Sequence, residues 1–185
     1  MGTLTGGPGE VVLAGADRDA ALLAVKAQLR IETHADDALA QAFAETALGL
    51  AERFTGRVLL MREMVATIEP GDRWRALPAA PVRAIGSVAA GRPATVLAPG
   101  DYAVDIDAAG TGWIRAPAAA APVTITFTAG EAASWAGVAP AVRQGVVLLA
   151  AHLFADRDGR AAPPAAVAAL WRPFRTPRLT LAAHA

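Results

Sequence analysis

Residues 138–157 form the most apolar stretch of the chain and have almost no polar face. Their apolar residues recur at helical spacing and fill two neighbouring stripes, Val142, Val146, Leu149 and Leu153 in one and Val147, Ala150 and Phe154 in the other. Pro140 suits the first turn of a helix, where its missing N–H costs nothing. A helix that is apolar nearly all round is buried, and this run is far short of the ~20 residues that span a bilayer. The pattern predicts the central helix of a helical core.

Three further helices are expected on either side of a β-rich region. The first covers about 17–29, where Asp17 can act as the cap, and the second covers about 34–55 and ends before Gly56. Pro164 can begin a short helix that continues to about 171. The second helix has an apolar stripe, and its other face carries the polar residues Asp37, Gln41, Glu45 and Glu52.

Between the second and third long helices the hydrophobic period shortens, and Gly and Pro recur every few residues. Val123, Ile125 and Phe127 alternate with threonines, which is typical of a half-buried strand. The spacing of breakers predicts short antiparallel strands at about 58–69, 73–77, 82–88, 102–106, 112–115 and 123–128.

These elements define an α+β fold: a small helical bundle of three main helices and a short C-terminal helix, with an antiparallel β insertion between helices two and three and an extended C-terminal tail. The expected organisation is a flexible, glycine-rich N-terminal arm, a discontinuous helical core, the β insertion and the tail, with bounds 1–15, 16–57 with 138–171, 58–137 and 172–185.

Charge is balanced over the whole chain but not along it. Seventeen basic and seventeen acidic residues cancel, yet residues 159–185 hold four arginines and no Asp or Glu. Residues 1–158 therefore carry 13 basic and 17 acidic residues, a net charge of −4. This asymmetry favours a basic tail that meets an acidic surface.

Candidate chemistry is sparse. The chain has no cysteine, and His34, His152 and His184 are isolated from one another and from suitably spaced carboxylates, so no metal site is expected. The carboxylate pairs Asp36–Asp37 and Asp105/Asp107 are better explained by a helix first turn and a loop than by acid–base catalysis. No cofactor motif is present. The sequence indicates a protein that is not an enzyme.

Several stretches, taken in order, resemble the head–tail connector (adaptor) proteins of long-tailed phages and of bacterial gene transfer agents. They are Leu22–Arg30 with Thr33–Asp37, Ala51–Arg57, Leu77–Val82, Asp101–Asp105, Ile125–Gly130, Pro140–Gln144 with His152–Arg157, and Pro164–Arg175. No one of them is diagnostic, but their succession over about residues 20–177 is specific. Phe154 and Phe174 stand where the family usually has Tyr, and Gly145 stands where Ala is common.

The resemblance implies a structural subunit of a dodecameric ring in the neck of a phage-like particle, assembled in the bacterial cytoplasm. Such a ring sits on the portal protein of the capsid, extends the DNA channel and offers a platform to a neck stopper or tail-completion protein. DNA passes through without sequence-specific binding, and no membrane is involved.

In this family the C-terminal segment commonly docks on the portal, which here implies a portal-binding set of Trp171, Arg172, Phe174, Arg175, Arg178, Leu179 and Leu181. For contacts between ring subunits the expected residues are Arg143, Phe154 and Arg157, because two helices and a small sheet cannot cover the third helix completely. The alternative function is a nucleic-acid-binding module that uses Arg73, Arg75 and the basic tail.

Overall fold

The computed structural model describes residues 4–117 and 121–176. These residues contain four α-helices: α1 (Gly15–Leu29), α2 (Asp37–Thr55), α3 (Pro140–Ala155) and α4 (Ala165–Trp171). Short 3-10 turns at Trp135–Gly137 and Arg172–Phe174 precede α3 and follow α4. The strands are β1 (Leu4–Thr5), β2 (Arg62–Ile68), β3 (Gly71–Ala76), β4 (Val82–Ala90), β5 (Thr95–Val96), β6 (Ala103–Ile106), β7 (Gly112–Ala116) and β8 (Val123–Ala129).

Local chemistry explains the helix ends. Gly56 adopts a left-handed conformation (φ 73°) after α2, and its N–H donates to the Glu52 carbonyl at 2.8 Å. Pro140 opens α3, as its fixed φ predicts. Asp17 does not cap α1; it lies in the first turn, and its carboxylate accepts the N–H of Trp135 at 2.7 Å. It therefore joins α1 to the turn that leads into α3.

The strands form two antiparallel sheets and confirm the predicted α+β class. The larger sheet has the order β1-β2-β8-β4-β5, and the smaller has the order β3-β7-β6. In the central strand β8, Val123, Ile125 and Phe127 are buried and the threonines between them are half-buried, so the alternation seen in the sequence is the alternation of its two faces.

Two hydrophobic clusters lie side by side. The helical cluster is built on α2 and α3, with α1 packing on both of them and α4 packing chiefly on α3. The second cluster fills the space between the sheets, with Phe127, Ile125 and Ile114 almost fully buried. Leu59, Leu60 and Ala132, at the base of the insertion, belong to the helical cluster and so tie the β region to the helices.

The N-terminal segment differs from the expected flexible arm, because residues 4–14 are docked. β1 pairs with β2 at the edge of the larger sheet, with Leu4 opposite Ala66. Beyond it, the N–H of Leu13 donates to the Glu45 carboxylate at 2.9 Å, and the Leu13 side chain is buried. Two residues of the polar face that the sequence assigns to α2, Glu45 and Glu52, therefore accept hydrogen bonds from backbone N–H groups of this segment.

Candidate assembly surfaces

The expected portal anchor Trp171 is part of the core of the subunit, and its role in portal binding stays a prediction. Its side chain is 3% exposed, and its indole N–H donates to the Val142 carbonyl at 3.1 Å. Its ring lies 5.8 Å from that of Phe54 in a tilted pair. Gly145 explains how the indole fits against α3: a Cβ added there would meet the indole atoms Cδ1 at 2.8 Å and Cε2 at 2.9 Å. The absent methyl group makes the slot for the ring.

The residues after Trp171 are folded onto the helical core as far as Thr176. Phe174 is half-buried and packs against the core, while Arg172 and Arg175 are exposed. The Arg175 guanidinium lies 6.0 Å from the centre of the Phe54 ring, and the Thr176 N–H donates to the Thr55 carbonyl at 2.9 Å. The expected extended tail thus begins with a 3-10 turn, and Arg178, Leu179 and Leu181 lie outside the described residues.

Thr176 lies at the junction of three parts of the fold. A cleft of about 440 Å³ at this point is lined by residues of the N-terminal segment, of the α2 end and of the β region, among them Pro8, Gly56, Pro78 and Arg175. Chain beyond Thr176 therefore starts from a surface where the helical and β parts meet.

The three residues expected at a subunit interface lie at two ends of α3. Arg143 is half-buried near its start and donates to the Ala136 carbonyl at 3.1 Å. Phe154 lies near the other end of α3, about 17 Å away at 1.5 Å per residue, and Arg157 follows just after the helix. Phe154 meets Phe43 edge-on at 6.4 Å, and the Arg157 guanidinium lies 4.9 Å from the Phe154 ring centre. The structure brings Phe154 and Arg157 together but not Arg143, and their role between subunits stays a prediction.

Sequence reasoning misses the buried carboxylate of Glu52, which accepts several hydrogen bonds. Glu52, assigned to the polar face of α2, is 0% exposed. Its two carboxylate oxygens accept Arg62 Nη1 at 2.8 Å and Nη2 at 2.7 Å, and they also accept the N–H of Leu59 at 2.9 Å and of Gly9 at 3.0 Å. One carboxylate thus holds α2, β2, the base of the insertion and the N-terminal segment together. Glu52 lies seven residues after Glu45, so both lie on the same face of α2, and this spacing is a local signal of a shared structural role.

The carboxylates considered for catalysis have structural partners. Asp37 accepts hydrogen bonds from Lys26 at 2.5 Å and from His34 at 2.8 Å, and the Lys26 bond, followed by the His34 bond, lowers the pKa of Asp37. Asp107 accepts the indole N–H of Trp113 at 3.0 Å, which, with backbone bonds in its loop, lowers its pKa. Both carboxylates are therefore held ionised, which suits a structural anchor rather than a general acid.

Among residues 4–117 and 121–176, no cluster of three or more His, Asp or Glu could hold a metal ion. His152 is adjacent to the Ala161 carbonyl, and His184 lies outside the described residues. No helix in the described part of the chain has the length and apolarity needed to cross a membrane.

Arg73 and Arg75, the residues of the alternative function, are exposed on β3 on either side of Trp74 in the sequence. Trp74 is 45% exposed, and the Arg115 guanidinium from the neighbouring strand β7 covers its ring at 5.5 Å. The structure therefore brings three arginines and one exposed aromatic ring to the same small sheet.

Comparisons with known proteins identify the class to which this fold is similar. No family model matches the sequence, and no curated protein matches it either. Among solved structures, a chain in the neck of an empty gene transfer agent (GTA) particle, computed with C6 symmetry, has 26% identity and a TM-score of 0.74 and covers 96% of this chain and 97% of its own. A chain in the neck of the native GTA particle, computed with C12 symmetry, has 29% identity and a TM-score of 0.66 over 90% and 95%. A chain of the native GTA virion has 28% identity and a TM-score of 0.69 over 97% of each.

The likeness spans helices, insertion and N-terminal segment alike, because nearly all of each chain is matched. It confirms the resemblance to the head–tail connector proteins of gene transfer agents that the ordered motifs predict. The proteins to which this chain is similar are, in particular, neck components of GTA particles.

Proposed function

We propose that this protein is a structural subunit of a head–tail connector ring in the neck of a phage-like particle. In this proposal the ring holds twelve copies, binds the portal protein, extends the DNA channel and supports a neck stopper or tail-completion protein. The observation that carries it is the match of nearly the whole chain to necks of GTA particles, one computed with C12 and one with C6 symmetry.

The C-terminal segment supports the portal-binding part of the proposal. Because Trp171 is in the core, the attachment surface starts with the exposed Arg172 and Arg175 and continues past Thr176 into the residues that carry Arg178 and two leucines. Arginine and apolar residues together are typical of interface hot spots. An acid-free segment of this kind suits an acidic partner surface.

The net negative charge of residues 1–158 supports passage of DNA through the ring without tight binding. Residues 1–158 carry a net charge of −4. A wall of that sign repels phosphates, whereas a basic wall would release counterions and hold the duplex.

The test is to mix the purified protein with the portal of its particle and to record native mass and negative-stain images. The full chain should add a ring to the portal. A chain ending at Thr176 should keep its thermal stability, since the Trp171 slot and the Thr176–Thr55 bond remain, and should fail to attach. A matched chain ending at Leu170 should unfold, because it loses Trp171. Attachment of the chain ending at Thr176 would contradict the tail assignment, and a full chain that ignores the portal would contradict the connector role.

The arginine-rich small sheet supports nucleic-acid binding as the alternative function. Arg115 covers the ring of the exposed Trp74, and Arg73 and Arg75 flank Trp74 along β3, a combination that can contact phosphates and stack on a base. A gel-shift titration at several salt concentrations separates the two functions. Tight binding with a steep salt dependence that Arg73→Ala with Arg75→Ala abolishes would favour the alternative, whereas weak binding that is insensitive to those changes would exclude it.

A further inference from the structure

Two apolar patches remain on the surface of the helical core. The first, here called the α1 face, is formed by Leu22, Leu23, Ala27 and Ile31, and Leu23 is 70% exposed. The second, here called the α4 groove, has a volume of about 560 Å³ and lies among α2, α3 and α4, with Leu50, Leu149, Leu153, Pro163 and Val167 in its lining. Leu50 is 42% exposed at its edge.

The two patches lie on different sides of the α2–α3 pair. α1 and α4 each pack on this pair, α1 on both helices and α4 chiefly on α3. Asp37, on the α1 face, and Leu50, in the α4 groove, are 13 positions apart on α2, which at 100° per residue separates them by roughly 140° around the helix. Two patches on different sides of one subunit can each meet a different neighbouring copy, as a heterologous contact requires.

Their charges are complementary. Asp19, Glu32 and Asp37 border the α1 face, and its one Lys, Lys26, is already paired with Asp37. In contrast, Arg53 is the charged residue in the lining of the α4 groove, and it is exposed. Among the described residues that line the α4 groove, none is acidic.

We propose that the occupant of the α4 groove is the α1 face of a second copy of this chain, so that this pair forms the repeating contact of the ring. This inference rests on the proposed function. A ring needs a heterologous contact, in which two different patches of identical subunits meet. The two patches lie on different sides of the subunit, have apolar centres and carry oppositely charged borders, which meets that need.

The first test places a charge in each patch. Leu23→Asp and Leu50→Asp should each lower the fraction of protein in rings by roughly tenfold or more, because an unpaired carboxylate must enter an apolar contact. Val96→Asp is the matched control, since Val96 on β5 is 69% exposed, close to the 70% of Leu23, and lies outside both patches. Rings that form normally from both patch variants would overturn the inference and leave the connector role intact. A wild-type chain that forms no ring on its portal would overturn the connector role and the inference with it.

The second test does not depend on the stability of the charged variants. The chain has no cysteine, so Leu23→Cys and Leu50→Cys provide unique sites for a short thiol-reactive cross-linker. In assembled rings the double variant should give a ladder of linked copies, and a mixture of the two single variants should give linked dimers. Each single variant alone should stay unlinked, because like patches do not meet in a heterologous contact. Linked dimers from either single variant alone, or no link in the double variant within intact rings, would overturn the inference.

Discussion

Gly145→Ala tests the burial of Trp171 through a change of one methyl group on α3. In an exposed helix this substitution would stabilise the protein by about 1 kcal/mol, because Ala restricts the unfolded chain and favours the helix. Here the new Cβ would overlap the indole of Trp171, whose Cδ1 and Cε2 atoms lie at 2.8 and 2.9 Å from the ideal Cβ position. The two effects have opposite signs, so the sign of the measured change decides between a core and a surface position for Trp171.

The magnitude follows from the contacts of the indole. Overpacking of a close-packed core costs about 1–3 kcal/mol, and displacement of the ring also strains the hydrogen bond to the Val142 carbonyl, which contributes about 0.5–1.5 kcal/mol. After the gain of about 1 kcal/mol from helix propensity, we expect a net loss of about 1–3 kcal/mol. For a protein of this size that is a fall in Tm of about 2–4 °C for each kcal/mol.

Urea unfolding, followed by far-ultraviolet circular dichroism, measures the free energy of unfolding of wild type, Gly145→Ala, Trp171→Leu and the double variant. Beside Trp171, the added methyl group should lower the free energy of unfolding. In the Trp171→Leu background the side chain at position 171 is smaller, so Gly145→Ala should leave the free energy of unfolding unchanged or raise it. The difference between the two backgrounds gives a coupling energy of about 1–3 kcal/mol. A single Gly145→Ala variant that is more stable than wild type by about 1 kcal/mol would refute the reasoning, because it would mean that the indole does not occupy the slot.

Two further predictions concern charged groups. Glu52→Gln should lower the free energy of unfolding by about 3 kcal/mol, because it leaves the Arg62 guanidinium without its buried counter-ion; urea titration measures this, and adding Arg62→Met should restore part of the loss. The folded pKa of Asp37 lies below its ordinary value of 3.8, owing first to the hydrogen bond from Lys26 and then to that from His34. Its contribution to stability is therefore complete above the unfolded pKa and is lost as the pH falls through the folded pKa. Asp37→Asn should be less stable than wild type at about pH 6, and thermal melts of the two should converge in strong acid; a constant difference at all pH values would contradict this.

Local patterns predict most of the elements. The helical period marks α2 and α3, the alternation of threonines with apolar residues marks β8, and Gly56 and Pro140 mark helix ends, since each of these signals is written within a few residues. The two-residue strands β1 and β5 leave no such pattern, because a strand of that length is defined by its partner. The order of the motifs along the chain also predicts the connector resemblance that the solved necks confirm.

By itself, then, the sequence determined the fold class, the positions of the main helices and strands, the uneven charge and the resemblance to connector proteins. Only the tertiary structure decided that Glu52 is buried, that the glycine-rich N-terminal segment is docked and that Trp171 belongs to the core. The physical reason is the same in each case. Each of these features is buried by a partner from another part of the chain. Glu52 needs Arg62 and backbone N–H groups, and the N-terminal segment needs β2. Trp171 needs the missing side chain of Gly145.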